Sequence, residues 1–329
     1  MTAFLTRRLL GIAVTLLVIC AVTFAIFYLL PNDPAQQFCG KDCTPDQVAL
    51  VRRQMGLDAP LAVQFGRYVV AIFAGRTMGA GNYAVACHFP CFGYSFQSGR
   101  PVWDLMMDRF PASFSLAIGS AVLWLLLGLL AGVVSALRKN SWVDRTLMIG
   151  TIGAAALPVY FTAMMLVYLT VTVLGLIPYP RYIDFSDDPV AWAQNLLLPW
   201  ITLALATAAL YARMTRSSVI ETLGEPFVRT ARAKGLRERR VVGKHGLRPA
   251  LTAVVTMLGM DLGGLLAGAV ITEQLFGLPG VGKLFADSLN KSDQPVVMGI
   301  TLLASFFIVS SNLVVDVLYA WIDPRARLS

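Results

Sequence analysis

Between Arg213 and Pro249 the chain reads RMTRSSVIETLGEPFVRTARAKGLRERRVVGKHGLRP, with ten Lys and Arg residues from Arg213 to Arg248. Inside this basic loop the spacing is specific. Glu225-Pro226 can open a short helix, because Pro is tolerated in a first turn and Glu suits the positive end of the helix dipole. Arg229, Arg232 and Lys234 offer charge to an acidic groove. Thr230 and Leu236 complete the run, and the small Ala231 and Ala233 would let another surface approach the helix backbone closely. Gly235 lets the chain turn sharply out of the helix. The chemistry on offer is docking rather than bond breaking. No G-x4-G-K-[ST] phosphate loop, H-E-x-x-H or G-x-S-x-G string occurs.

The elements that carry this loop are apolar. The chain has 329 residues, 57% hydrophobic and 14% charged, with a mean hydropathy of +0.66. A soluble domain carries about 25% charge, so a multi-span membrane protein is expected. The net charge of +8 does not point to nucleic acid, because the Lys and Arg residues cluster in short loops beside apolar spans.

Apolar length places six spans near Leu9–Leu30, Ala112–Leu137, Leu147–Leu174, Asn195–Arg213, Ala250–Ile271 and Val296–Trp321. The first is too long for a signal-peptide core and ends without an Ala-x-Ala site, so it reads as an uncleaved span. Arg7 and Arg8 precede it, Arg138, Lys139 and Arg145 follow the second, and Arg325 and Arg327 follow the sixth. The positive-inside rule then puts both termini and the 213–249 loop in the cytoplasm. The division is a cytoplasmic end and first span (1–30), an extracytoplasmic segment (31–111), a five-helix core (112–322) and a cytoplasmic tail (323–329).

In the outer segment, Thr44-Pro45-Asp46-Gln47 is a capping box opening one helix, and Pro60 to Ala74 reads as another. Cys39 and Cys43 are spaced C-x3-C, as are Cys87 and Cys91. Outside the cytoplasm, disulfides are expected, with three connectivities open. A zinc site using His88 is the competing reading, disfavoured because this is not the usual metal spacing. Cys20, within the first span, is expected to be an inert core thiol.

Span five holds Gly259, Gly263, Gly264 and Gly268, two pairs of them four apart, which allows close helix contact in lipid. Either another chain or a helix of the same bundle could pack there. Asp261 stands in the same span, where a carboxylate costs about 2.5–3.5 kcal/mol on the insertion scale. It either lines a water-filled path and attracts a cationic group, or pairs with a polar group on a neighbouring helix. The outer segment Glu273–Pro295 is a candidate gate that folds back towards the path.

An ordered set of strings carries a resemblance over nearly the whole length. It includes Leu57-Asp58 with Pro60, Gly93-Tyr94-Ser95, Arg109-Phe110-Pro111, Arg213 to Ser218 and Arg229 to Leu236. Further along come Gly268-Ala269-Val270 with Thr272-Glu273, Pro279-Gly280-Val281-Gly282, Asn312 to Tyr319 and Asp323-Pro324-Arg325. The chain resembles a permease subunit of the dipeptide/oligopeptide branch of ABC importers. One departure from the broad family motif is His245-Gly246-Leu247-Arg248-Pro249 in place of an Ile-x-Leu-Pro element. It matches the peptide branch and weakens any match to sugar or metal importers.

The resemblance implies an all-α membrane protein of six transmembrane helices, the ABC importer permease fold, with a small helical extracytoplasmic insertion. It implies a bacterial inner-membrane location, a second homologous permease, two ABC ATPase subunits and an extracytoplasmic solute-binding protein. ATP and Mg would bind in the ATPases, and no cofactor or metal in this chain. The expected cargo is a di- or oligopeptide; related permeases carry nickel or glycosides. The Glu225–Leu236 helix would sit in a cleft on the ATPase. The competing class is an ATP-independent secondary transporter or channel. Lipid is a partner in any of these readings; nucleic acid is not.

Overall fold

The computed structural model describes residues 2–29, 44–54, 58–78, 85–95, 97–266 and 268–322. Contacts divide the chain into two compact units, Met1–Pro111 with Gly280–Phe307, and Ala112–Pro279 with Ile308–Ser329.

In the first unit, α1 (Thr2–Leu29) is an apolar helix, and α2 (Pro45–Gln54) and α3 (Leu61–Ala74) follow in the 31–111 segment. Pro60 stands just before α3, where its missing N–H costs nothing. Two small antiparallel hairpins come next. β1 (Arg76–Met78) pairs with β2 (Val85–Cys87), and β3 (Tyr94–Ser95) pairs with β4 (Arg100–Pro101). The two helices expected of the insertion are present, and the hairpins add to them. Strands of two or three residues are too short to show the alternation by which a sequence reveals them. The core is formed by Val102, Leu105 and Met106 of α4 (Val102–Leu137), Val281 of α12 (Val281–Asn290), and Val296, Ile300 and Leu303 of α13 (Gln294–Ile322).

The second unit holds the remainder of α4 together with α5 (Trp142–Ala156), α6 (Val159–Val167), α7 (Pro189–Gly224), α8 (Pro226–Ala233), α9 (Glu238–Arg240), α10 (Arg248–Leu266) and α11 (Val270–Leu275). α4 and α7 have 36 residues each. At 1.5 Å per residue that is about 54 Å, well beyond a hydrocarbon core of about 30 Å. They pack closely because Gly128 and Gly132 leave no room for a side chain. A Cβ on Gly128 would lie 2.6 Å from Tyr211 Cβ, and one on Gly132 2.6 Å from Thr215 Cβ. Trp200 Nε1 donates to the Ser115 carbonyl at 3.0 Å across the same contact.

α1, α4, α7 and α13 are each long and apolar enough to cross a membrane, and two bent pairs raise the number to six if each pair is one span. The expected third span is one of these pairs. It bends by 100° between α5 and the segment Val159–Val173. Leu157 is extended and Pro158 follows it; proline disfavours helical geometry in the residue before it and cannot donate back into the preceding turn. Span five also stops short of its expected end. α10 finishes at Leu266, and Gly268 takes φ +116°, a left-handed value that glycine tolerates.

Candidate functional site

The basic loop does not begin as a loop. α7 continues through Arg213 and Arg216 to Gly224, because Thr215 and Val219 are buried on one face and keep the helix packed beyond the apolar stretch. Glu225 is extended and α8 starts at Pro226, as the residue order predicts. Glu225 supplies its carbonyl to the N–H groups of Val228 and Arg229 at 3.1 and 3.3 Å. Its side chain makes no cap hydrogen bond.

α8 closes with the hydrogen bonding of a Schellman turn. Leu236 N–H reaches the Ala231 carbonyl at 3.4 Å and Gly235 N–H the Arg232 carbonyl at 2.9 Å, with Gly235 at φ +73°. The helix then sits on its own chain through a narrow apolar stripe. Val228, Ala231 and Val241 are buried, with Leu223 and Leu236 packed against them. Val228 and Ala231 are three apart, one face of a helix.

Ala231, read as a small residue for a partner to approach, is buried and faces inward with Val228 and Val241. Ala233 remains on the exposed side with Phe227, Arg229, Thr230, Arg232 and Lys234. Thr230 Oγ1 is turned back onto the Pro226 carbonyl at 3.0 Å. Arg232 is paired with Glu238 by Nη2–Oε1 at 2.7 Å. That hydrogen bond raises the guanidinium pKa and lowers that of the carboxyl. Arg229 and Lys234, joined by Arg237, Arg239 and Arg240, leave an exposed basic face.

Beyond α9 the chain makes a π-helical turn, Val241–Leu247, that leads into α10. It includes His245 and Gly246. Gly246 is buried where a Cβ would meet Leu223 Cδ2 at 2.8 Å, so the departure from Ile-x-Leu-Pro is also a packing position.

The glycines of span five separate in role. Gly259 faces Val315 and Gly263 faces Ile308 and Ser311, all on α13, so these two pack within the chain. Gly264 has open space around it, and Gly268 is a backbone break. Asp261 is half-buried, and Tyr211 Oη of α7 donates to its Oδ2 at 2.7 Å. Of the Glu273–Pro295 segment, Glu273 lies in α11, wholly buried, and accepts from Ser113 Oγ at 2.7 Å. Cys87 and Cys91 form a disulfide, which leaves neither thiol for zinc at His88. Cys39 and Cys43 lie outside the described residues. Cys20 is free and buried. Among the described residues no group of three or more His, Cys, Asp or Glu could hold a metal.

Three polar constellations were not legible beforehand. They are Asp144 with Arg216 and Ser135, Glu273 with Ser113, and Ser95 with Asp293. Each joins residues on different elements, with no local spacing to announce it. The only hint was that Ser95, Arg216 and Glu273 lay in the strings that carried the family resemblance.

Residues 1–117 match the family described as the N-terminal part of binding-protein-dependent transport system membrane components, and residues 125–328 match the binding-protein-dependent transport system inner membrane component. The chain is 38% identical over 327 residues to the glutathione transport system permease protein GsiC of Salmonella paratyphi A, and equally so to that of Escherichia coli K12. Each match covers 99% of both chains. Among solved structures it resembles a chain of the MetNI methionine ABC transporter in an inward-facing conformation. The TM-score is 0.54 at 16% identity, covering 67% of this chain and 97% of that one.

Proposed function

The chain belongs to the family of binding-protein-dependent transport system inner membrane components and is a multi-pass ABC importer permease, and from that premise we propose that α8 is the helix through which partner ATPases drive it. The observation that carries this is the two-sided build of α8. Its apolar stripe is spent on Val241, Leu223 and Leu236, while Arg229, Lys234 and Phe227 stay outward at the end of a 36-residue helix. A short helix fixed to a long one is a lever, and its basic outer face suits an acidic cleft.

In this reading two ATPases bind ATP and Mg, a second homologous permease completes the path, and an extracytoplasmic binding protein delivers the cargo. Both termini and the α8 hairpin are cytoplasmic, as the Lys and Arg distribution favours. ATPase closure moves both α8 helices and the permease pair alternates its opening as coupled rigid bodies. The cargo is a short peptide; the glutathione permeases among its relatives support a tripeptide-sized solute.

Gentle membrane extraction followed by capture through this chain tests the assembly. Two ATPase copies and a second permease per complex are expected in the mass spectrum. A captured chain without any nucleotide-binding subunit would return the reading to an ATP-independent transporter. Binding-protein-dependent uptake of tritiated glutathione and of labelled di- and tripeptides into proteoliposomes tests the cargo.

A further inference from the structure

Asp144 stands in the first turn of α5, behind the Ser141 N-cap. Its side chain is only 4% exposed, yet it is fully satisfied. Arg216 of α7 donates Nε to Oδ1 at 2.7 Å and Nη2 to Oδ2 at 2.8 Å. The Ser135 hydroxyl of α4 also donates to Oδ1, and Asn140 N–H donates to Oδ2 at 2.9 Å. Asn140 takes φ 65° to make that approach, a region Asn enters more readily than most residues. One carboxylate thus ties together α4, α5 and α7.

Two further features give this knot a mechanical meaning. Arg216 lies about two turns before Gly224, where α7 ends and α8 begins, and the intervening segment is unbroken helix. A displacement of α8 therefore reaches Arg216 through rigid structure. In addition, α5 lies along α7 but buries few side chains there. Of its fifteen residues only Asp144 and Thr151 are buried, while Ile149 and Ile152 are exposed. Helix faces packed through partly buried apolar side chains can slide. A forked guanidinium–carboxylate pair fixes both distance and rotation.

We infer that Asp144 and Arg216 are the joint that passes movement of the α8 hairpin to α5, and so to the segment beyond the Leu157–Pro158 bend. They are positioning residues for transport. The inference rests on α8 being the ATPase-driven helix.

The test uses the complex captured through this chain and placed in nanodiscs, with a nitroxide attached at Ile152→Cys. Phosphate release reports ATP hydrolysis, and nitroxide mobility with and without ATP and Mg reports movement of α5. In the otherwise unaltered chain, ATP changes the spectrum. Asp144→Asn keeps its ATPases and continues to hydrolyse ATP, but the ATP-dependent change falls about tenfold, the scale of one charge-assisted hydrogen bond. Arg216→Lys keeps the charge and loses the fork, so its response falls part of the way. It decides the matter alone if the Asn variant does not accumulate. A full response in either variant overturns the joint while leaving the α8 reading intact. A reporter complex that holds no ATPase overturns the α8 reading itself, and the joint with it.

Discussion

Gly263 of α10 faces Ser311 of α13 across a space that one methyl group would close: a Cβ on Gly263 would stand 3.0 Å from Ser311 Cβ and 3.0 Å from Ile308 Cα. The next residue, Gly264, has nothing within 4 Å of such a Cβ. Adjacent glycines on one helix thus serve different ends. Gly263→Ala should destabilise the protein by about 1–3 kcal/mol through overpacking, because the obstructing Ile308 atom is backbone and cannot rotate away. Gly264→Ala should be neutral or raise stability by up to about 1 kcal/mol through helix propensity. Thermal unfolding of the two variants in detergent distinguishes them. Equal behaviour would mean that α10 does not meet α13 along this face.

Tyr211 and Asp261 form a donor–acceptor pair within a membrane span, and their substitutions should not be equivalent. Asp261→Asn retains an oxygen for the Tyr211 hydroxyl and should cost less than about 1 kcal/mol, in line with interhelical hydrogen bonds in membranes. Tyr211→Phe strips a half-buried carboxyl of its donor and should cost more, about 1–3 kcal/mol for a polar group left unpaired. Tyr211→Phe combined with Asp261→Leu should recover part of that loss, since both polar ends are then gone. A double-mutant cycle on apparent melting temperature measures the ordering. A Tyr211→Phe loss no larger than that of Asp261→Asn would argue that the pair is not formed.

These cases show where sequence reasoning reached and where it stopped. The short helix starting at Pro226 and its exit at Gly235 were legible, because both depend on backbone preferences of the residues themselves. So was the helix from Pro60 to Ala74. The inward face of Ala231 was not, because it is set by Val241, ten residues away and beyond a turn. The small-residue spacing of span five showed that something packs closely, but could not say whether the neighbour was α13 or another chain. Asp144 has no local spacing that points to its role; its partner Arg216 sits 72 residues further on, and only the packing of α4, α5 and α7 brings them together. Proline at 158 was visible in the sequence, but the 100° bend depends on where the two segments find their contacts.

Asp293 should make the first unit sensitive to pH. It is 6% exposed at the turn between α12 and α13 and accepts from the Ser95 hydroxyl of the β3–β4 hairpin. Burial raises its pKa above the ordinary 3.8, opposed in part by the Ser95 hydrogen bond, the Val296 N–H and Lys291. A raised folded pKa means that the folded state holds the proton longer than the unfolded one. The associated stability is fully present below the ordinary carboxylate value and is lost as pH rises through the raised value. Thermal unfolding should therefore fall over that window, and Asp293→Asn, which cannot ionise but still offers an oxygen to Ser95, should flatten the profile. An unchanged profile in the Asn variant would assign the dependence elsewhere.

Gly235 offers a graded test of the lever, because its constraint is purely conformational. Its φ of +73° is left-handed, and a Cβ there would meet nothing within 4 Å. Asn enters that region readily, so Gly235→Asn should transport nearly as well as the original. Ala pays roughly 1–2 kcal/mol for left-handed geometry, so Gly235→Ala should lose part of its transport. Proline is locked near −65° and has no N–H, so Gly235→Pro can neither make the turn nor donate to the Arg232 carbonyl. Leu236 would then leave its seat beside Ala231 and Val228, and α8 would lose its fixed place on the chain. α7 ends eleven residues earlier and is untouched, so membrane insertion should be normal while ATP-driven uptake is abolished. Uptake of tritiated glutathione by the series, normalised to inserted protein, should rank Asn, Ala, Pro from highest to lowest. A proline variant that transports normally would show that the position of α8 does not govern the cycle.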